Sequence, residues 1–223
     1  MHKAAIRRNS APEIRAMAEC QYLYLGIEAE ARLRKIVFDP TGLAEAERIL
    51  VFAAHSQIDR WLRLVDVAFS KHYQGAAAVR VDESALTEVA SKRYNRIVTL
   101  LHEDLRPIIE NRNKIAHGQS EWQLKSGSDG KFKKEAARID FGDHWNLTNL
   151  RDALEAIGEI MLALVVSRPS FERDFDRFFS SIQQAKNNLS ANHDGSEFRR
   201  FARSLGPVGG WKKPPVTPSH RAN

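Results

Sequence analysis

Apolar residues recur along most of the chain at spacings of three and four positions, with polar residues between them. This period places the apolar side chains on one face of an α-helix and predicts a series of amphipathic helices. The first predicted helix opens at the capping-box spacing Ser10-x-x-Glu13 and runs to about Phe38. A second helix follows a cap at Thr41 and ends at Gly75.

A third helical stretch opens around Asp82 or Ser84 and ends at Gly118, a residue type that favours a left-handed helix terminus. Pro107 lies inside this stretch. Proline has no backbone N–H, and its ring collides with the preceding turn. The sequence therefore predicts either a kink or a break with a new helix starting near Glu103.

Residues 119–144 have a different pattern, with short alternating runs on either side of a turn-forming Gly-Ser-Asp-Gly segment. This pattern is typical of a short β-hairpin or an ordered loop. Helical periodicity returns near Thr148, and Pro169 separates that helix from a last one over about 170–188. Because no alternation of strands and helices is present, the predicted fold class is all-α. The expected architecture is an up-and-down bundle of about five long helices with this insertion.

Charge is unevenly distributed along the 223 residues. The formal net charge is +6, yet residues 1–9 and 191–223 together exceed that total, so the body is close to neutral. We expect a flexible basic arm over 1–9, one helical domain over 10–190 and a basic, mostly disordered tail over 191–223. The single cysteine excludes an internal disulfide framework. No secretory signal or membrane-spanning apolar run is present, so we expect a cytoplasmic protein without membrane contact.

Several motifs of known chemistry are absent from the sequence. It contains neither of the glycine-rich phosphate-binding patterns, no G-x-S-x-G elbow, no H-x-x-x-H and no E-x-x-H. We therefore expect no metal and no cofactor.

One polar segment at the end of the third predicted helix contains the residue types needed for acid–base and phosphate chemistry. The helical spacing places four of its side chains on one face: Glu110, Asn113, Lys114 and His117. Arg112 flanks this face. Isoleucines and an alanine on the other side are expected to anchor the helix in the core.

The string Arg112-Asn113-x-x-x-His117 resembles the R-x(4–6)-H motif of the HEPN superfamily, the higher eukaryotes and prokaryotes nucleotide-binding domains. Three other Arg/His pairs have a compatible spacing, but in each of them isoleucine follows the arginine: Arg48/His55, Arg96/His102 and Arg138/His144. Arg112 is followed by the polar Asn113, as active members of the family favour. One subgroup, which pairs with a nucleotidyltransferase antitoxin, has a tyrosine two residues after the histidine; Gln119 at that position argues against it.

The resemblance implies a metal-independent endoribonuclease that acts as a homodimer, plausible as a toxin or an anti-phage defence effector. On this interpretation Arg112 and His117 are catalytic, Asn113 assists them and Lys114 contacts RNA. Histidine can act as base or acid near neutral pH, and arginine can stabilise a phosphate in the transition state. Glu110 and His102 are candidates for a supporting role. The implied partners are RNA, a second copy of the chain and an antitoxin or regulatory protein.

Two alternatives remain open at this point. The first is a non-catalytic HEPN-like helical module that binds RNA or a protein. The second is a structural or dimerisation domain in which Arg112 forms only an ion pair and His117 only completes a helix terminus.

Overall fold

The computed structural model describes residues 11–118, 144–191 and 196–205. Across these residues the regular structure is entirely helical, which confirms the predicted all-α bundle. The α-helices are α1 (Ala11–Val37), α2 (Glu45–Phe52), α3 (Gln57–Gln74), α4 (Glu88–Leu100), α5 (Arg106–Ala116), α6 (His144–Val166), α7 (Arg168–Ala191) and α8 (Ser196–Ser204). A short 3₁₀ turn, Glu83–Ala85, precedes α4, and a π-helical turn, Leu101–Leu105, joins α4 to α5.

Side-chain contacts show the directions in which the long helices run. Asn188 donates to Asn149 at 3.1 Å across the α6–α7 pair, and only Ser167 separates these two helices, so they run antiparallel. Arg93 and Asp104 contact Asp176 and Lys186 in the same order along the chain, so α4 and the π turn that follows it run parallel to α7. Helices α4, α6 and α7 therefore alternate in direction, as in an up-and-down bundle.

The core is formed by the apolar faces of α1, α3, α4, α5, α6 and α7. Its largest fully buried side chains include Trp61, Phe69, Phe171 and Phe175. The Phe69 and Phe171 rings meet edge to face with centroids 5.6 Å apart, and Phe171 meets Phe175 in the same way at 5.4 Å. Such aromatic pairs join α3 to α7 and fix the side of the bundle opposite α1.

The second predicted helix is two helices, so the prediction of one continuous helix over 41–75 was wrong. The chain turns at residues 53–56, and α3 begins with a capping box. The Ser56 hydroxyl accepts a hydrogen bond from the Asp59 amide at 3.1 Å and donates one to the Asp59 carboxylate at 2.6 Å. Thr41 does not cap a helix, because its hydroxyl donates to Asp39 at 2.6 Å.

Pro107 does not cause a break with a new helix starting near Glu103, which was one of the two alternatives that the sequence suggested. The helix continues through the π turn Leu101–Leu105, and α-helical bonding resumes at Arg106, three residues after Glu103. The Arg106 amide donates to the Leu101 carbonyl, five residues back, which is the π pattern. The wider turn accommodates a proline at the start of α5 without ending the helix.

The predicted helix ends at glycine are confirmed. Gly75 and Gly118 have φ values of 81° and 68°, in the left-handed region that favours glycine. α6 begins at His144, before the expected Thr148, and α7 extends over Arg168–Ala191.

Helix α8 lies within the 191–223 segment, where the sequence interpretation placed no helix. Apolar residues at positions 198, 201, 202 and 205 give it one apolar face, a pattern the sequence interpretation overlooked. The proposed arm, the cap at Ser10, the hairpin or loop over 119–143 and the rest of the tail lie outside the described residues. Among the residues described, no helix is both long and apolar enough to cross a membrane.

Candidate functional site

Helix α5 carries the Arg112–His117 segment and packs against α1. Ile108 and Ile109 are buried, and Ile115 is half-buried against the core. Ala116, which was expected to help anchor the helix, is exposed. The anchoring face is therefore narrower than predicted at the last turn of α5, and the polar side chains there face solvent or the surface of α1.

Arg112 lies directly against the backbone of Gly26 in α1. A Cβ atom placed on Gly26 would lie 2.5 Å from Cβ of Arg112 and closer still to its Cγ. Gly26 is buried, and its missing side chain is the space that the arginine stem fills. Packing against Gly26 therefore holds the aliphatic stem of Arg112, independently of the contacts that its charged end makes.

The guanidinium of Arg112 is oriented by two partners. Nη1 donates to Oδ1 of Asn113 at 2.9 Å, and Nη2 lies 3.5 Å from Oε2 of Glu30. The other Glu30 oxygen accepts from Arg34 at 3.1 Å. One carboxylate is thus shared by two guanidinium groups, which leaves this part of the α1–α5 surface with an excess of positive charge.

His117 is the last residue of the helical turn and is exposed. Its backbone amide donates to the Asn113 carbonyl at 3.0 Å, and the Gly118 amide donates to Ile115 at 2.9 Å. His117 follows Asn113 by four positions, about one helical turn, so the two side chains share one side of the helix. The structure therefore places Arg112 in contact with Asn113, and it places Asn113 on the same side of the helix as His117.

The other predicted site residues are placed differently. The Lys114 ammonium donates to Asn111 at 3.4 Å, and Asn111 donates to the Tyr22 hydroxyl at 3.4 Å. Burial raises the pKa of Tyr22, and the bond from Asn111 opposes that shift. Lys114 is therefore tied toward α1 instead of extending beside the Arg112 guanidinium.

Glu110 and His102 do not join this cluster within the described part of the chain. Glu110 is exposed on α5 and forms no ion pair with Lys114. His102 lies in the π turn, where its Nδ1 is 2.8 Å from Nη2 of Arg106. No contact in the described structure supports the role expected for these two residues.

Two residues of the site were missed by sequence reasoning, namely Gly26 and Glu30. An isolated glycine inside a helical apolar pattern often marks close packing, so Gly26 did carry a signal. That signal gives no information about which side chain fills the space. Glu30 is one of many helix-surface glutamates, and only its position beside Arg112 distinguishes it.

An apolar stripe that the described residues leave exposed runs along α1. Tyr24 and Ile27 are 62% and 54% exposed, and Cys20 and Ala31 continue the stripe at intervals of three and four residues. At about 100° per residue, the four stripe residues lie between about 100° and 160° around α1 from Gly26. Ile27 is the member nearest to the α1 surface on which Arg112 packs, and Tyr24 lies almost on the opposite side of the helix.

A scan of the chain against protein-family models finds no match, and searches of curated proteins and of solved structures also find none. The chemistry of the site must therefore be argued from its own geometry. One helix end presents a fixed guanidinium, an amide that orients it and a solvent-accessible imidazole. A single copy of this site holds one imidazole, whereas acid–base cleavage of a phosphodiester uses a base and an acid.

Proposed function

We propose that the chain is a metal-independent, HEPN-like endoribonuclease that acts as a homodimer. The observation that carries this proposal is the placement of Arg112. Gly26 fixes its stem, and Asn113 accepts a hydrogen bond from its guanidinium at the helix end that bears the exposed His117. A held cation and an exposed imidazole at one helix end are groups suited to a phosphodiester substrate.

Each residue has a defined role in the proposed reaction. One His117 takes the proton of the 2′-hydroxyl, whose oxygen then attacks the adjacent phosphorus. The second His117, from the other copy, protonates the departing 5′-oxygen. The products are a 2′,3′-cyclic phosphate and a 5′-hydroxyl. Arg112 stabilises the negative charge that grows on the phosphoryl oxygens, and Asn113 holds the guanidinium in place. Lys114 offers a further phosphate contact at the edge of the site.

The second copy is proposed to dock on the apolar stripe of α1, formed by Cys20, Tyr24, Ile27 and Ala31. Ile27 is the stripe residue nearest to the Gly26 side of α1, and a two-fold contact on the stripe is the proposed way in which the two α5 ends approach each other. The cellular role that fits such an enzyme is a toxin or anti-phage effector restrained by a regulatory protein.

One observation favours the alternative of a non-catalytic module. Arg112 already has a carboxylate partner, Glu30, at 3.5 Å, so a phosphate must compete with it. Because Glu30 is shared with Arg34, it compensates only part of the local positive charge. A module of this kind binds RNA or a protein partner through the same surface without breaking a bond.

The test compares RNA cleavage by the wild type, His117→Ala and Arg112→Ala in EDTA, with mapping of the RNA ends. His55→Ala is the matched control, because His55 is also exposed and also follows an arginine at the motif spacing. We expect the wild type and the control to leave 2′,3′-cyclic phosphates, and the two site variants to lose cleavage by at least 100-fold, a typical effect of removing a general acid–base or electrostatic group.

Circular dichroism and thermal unfolding should show that the site variants remain folded. Cleavage by His117→Ala at the wild-type rate would refute the proposed mechanism. If the wild type and all the variants bind RNA but none of them cleaves it, the result would favour the non-catalytic module.

A further inference from the structure

A groove separate from the Arg112 site runs between α4 and α7. Its walls include Lys92 and Arg96 from α4 and Lys186 from α7. Glu103, at one end, lies 3.6 Å from Lys186. The groove is therefore lined by more cations than anions, in a helical body that is close to neutral overall.

Arg96 is the central cation of this groove. Its guanidinium carbon lies 5.0 Å from the centroid of the Phe179 ring, and Phe179 stacks in turn on Phe175 with centroids 5.7 Å apart. Among the described residues no carboxylate pairs with Arg96, although Lys92, Arg93 and Lys186 each have an acidic partner. The structure thus holds one arginine plane on an aromatic ring, with N–H donors that no carboxylate in the described part of the chain occupies.

Uncharged polar groups complete the groove. Asn95 and Gln183 contribute amides from opposite walls, and Thr99 adds a hydroxyl. The Asn95 nitrogen donates to Glu83 at 3.3 Å, so an RNA group must compete with that carboxylate for it. Lys92 and Arg96 are one helical turn apart, about 6 Å along the axis. That separation is comparable to the distance between successive phosphates of an extended strand. Amide and hydroxyl groups can bond to base edges and to the ribose, and an arginine plane can stack on a base.

We propose that the α4–α7 groove binds a single-stranded segment of RNA away from the bond that is cut. This inference rests on the proposed function, since it names a second contact for the same substrate. A single RNA strand fits better than an acidic peptide, because a peptide carboxylate makes no use of an arginine plane or of the two amides. Arg96 and Arg112 are 16 residues apart on nearly continuous helix, about 24 Å, and contact α7 and α1 respectively.

The test measures the anisotropy of a labelled single-stranded RNA 20-mer in a His117→Ala background, so that cleavage does not interfere. The groove variant is Lys92→Ala/Arg96→Ala. The matched control is Lys35→Ala/Arg173→Ala, which removes two exposed cations outside the groove. We expect the groove variant to bind at least tenfold more weakly and the control within twofold of the parent. The slope of log K against log[salt] should become less steep by about 1.4, which corresponds to two lost phosphate contacts.

A second variant, Asn95→Asp/Gln183→Glu, leaves the packing of Arg96 on Phe179 in place and should also weaken binding at least tenfold. Binding of both groove variants within twofold of the parent would overturn the proposal. Displacement of RNA by polyglutamate as effective as that by unlabelled RNA would overturn the choice of ligand.

In the catalytically intact protein, the groove variant should raise KM and leave kcat within twofold. Weakened binding in a protein that never cleaves RNA would support the groove and refute the nuclease. Cleavage with an unchanged KM in the groove variant would support the nuclease and refute the groove.

Discussion

At the scale of single residues, Gly26 shows how a missing side chain can position a charged one. Glycine within a helix normally costs about 0.5–1 kcal/mol relative to alanine, because it loses more backbone freedom on folding. In α1 the backbone of Gly26 is covered by the stem of Arg112. The close approach of α5 to α1, and with it the position of the guanidinium, therefore depends on the absence of a Cβ atom.

We expect Gly26→Ala to destabilise the protein by about 1–3 kcal/mol, because the new methyl group overlaps the Arg112 stem. RNA cleavage should fall as well, since the guanidinium is displaced. Urea unfolding and the cleavage assay provide the two measurements.

Gly158→Ala is the control for this substitution. Gly158 is also buried in a helix, but a Cβ there meets only the flexible end of Arg32 at 3.4 Å. We expect Gly158→Ala to be neutral or stabilising. A Gly26→Ala protein as stable as the wild type would contradict the packing argument.

At the scale of elements, the most informative difference between expectation and structure is the start of α3. The apolar stripe from Leu43 to Phe69 fits one helix, which concealed the break at residues 53–56. The capping box at Ser56 and Asp59 stabilises the new start by satisfying backbone amides that lack helical partners. The Ser56 and Asp59 capping pattern is visible in the sequence, but the continuous apolar period favoured a single helix.

Ser56→Ala should lower the free energy of unfolding by about 1 kcal/mol, the usual cost of removing a helix cap. Thr41→Ala is the comparison, because the Thr41 hydroxyl donates within a turn and caps no helix. The two free energies are measured by urea unfolding. An equal loss in both variants would argue against a special role for the cap.

At the scale of the whole molecule, the described part of the bundle leaves the α1 stripe exposed on the helix against which Arg112 packs. Exposed apolar surface of this kind often marks an interaction site. For a nuclease that needs two imidazoles, a second copy is the partner that completes the chemistry. The proposed assembly and the proposed activity therefore depend on two sides of the same helix, α1.

Ile27→Asp should convert the proposed dimer to a monomer and abolish cleavage, because the change buries a charge at the interface. Val89→Asp is the control, since Val89 is 61% exposed at the start of α4. Sedimentation equilibrium measures the oligomeric state. A wild-type protein that cleaves RNA as a monomer would refute the dimer.

The sequence predicted those features that depend on neighbouring residues, such as the glycine ends of α3 and α5 and the all-α class. It also placed Arg112, Asn113 and His117 at one helix end. It could not predict the contacts of Arg112 with Gly26 and Glu30, because these residues are more than 80 positions away in the chain. Contacts of that kind depend on the packing of two helices, which no local pattern specifies.

The topology also has a consequence for the order of folding. α6 and α7 are joined by one residue and can pair early, because closing a short loop costs little entropy. α1 meets α5 only through contacts such as Tyr22 with Asn111, which are 89 residues apart. We expect the α1–α5 seam to form late and to open at a lower free energy than the rest of the bundle. A local opening of α1 would then release Arg112 and, in the proposed dimer, separate the copies, while most of the chain stays folded.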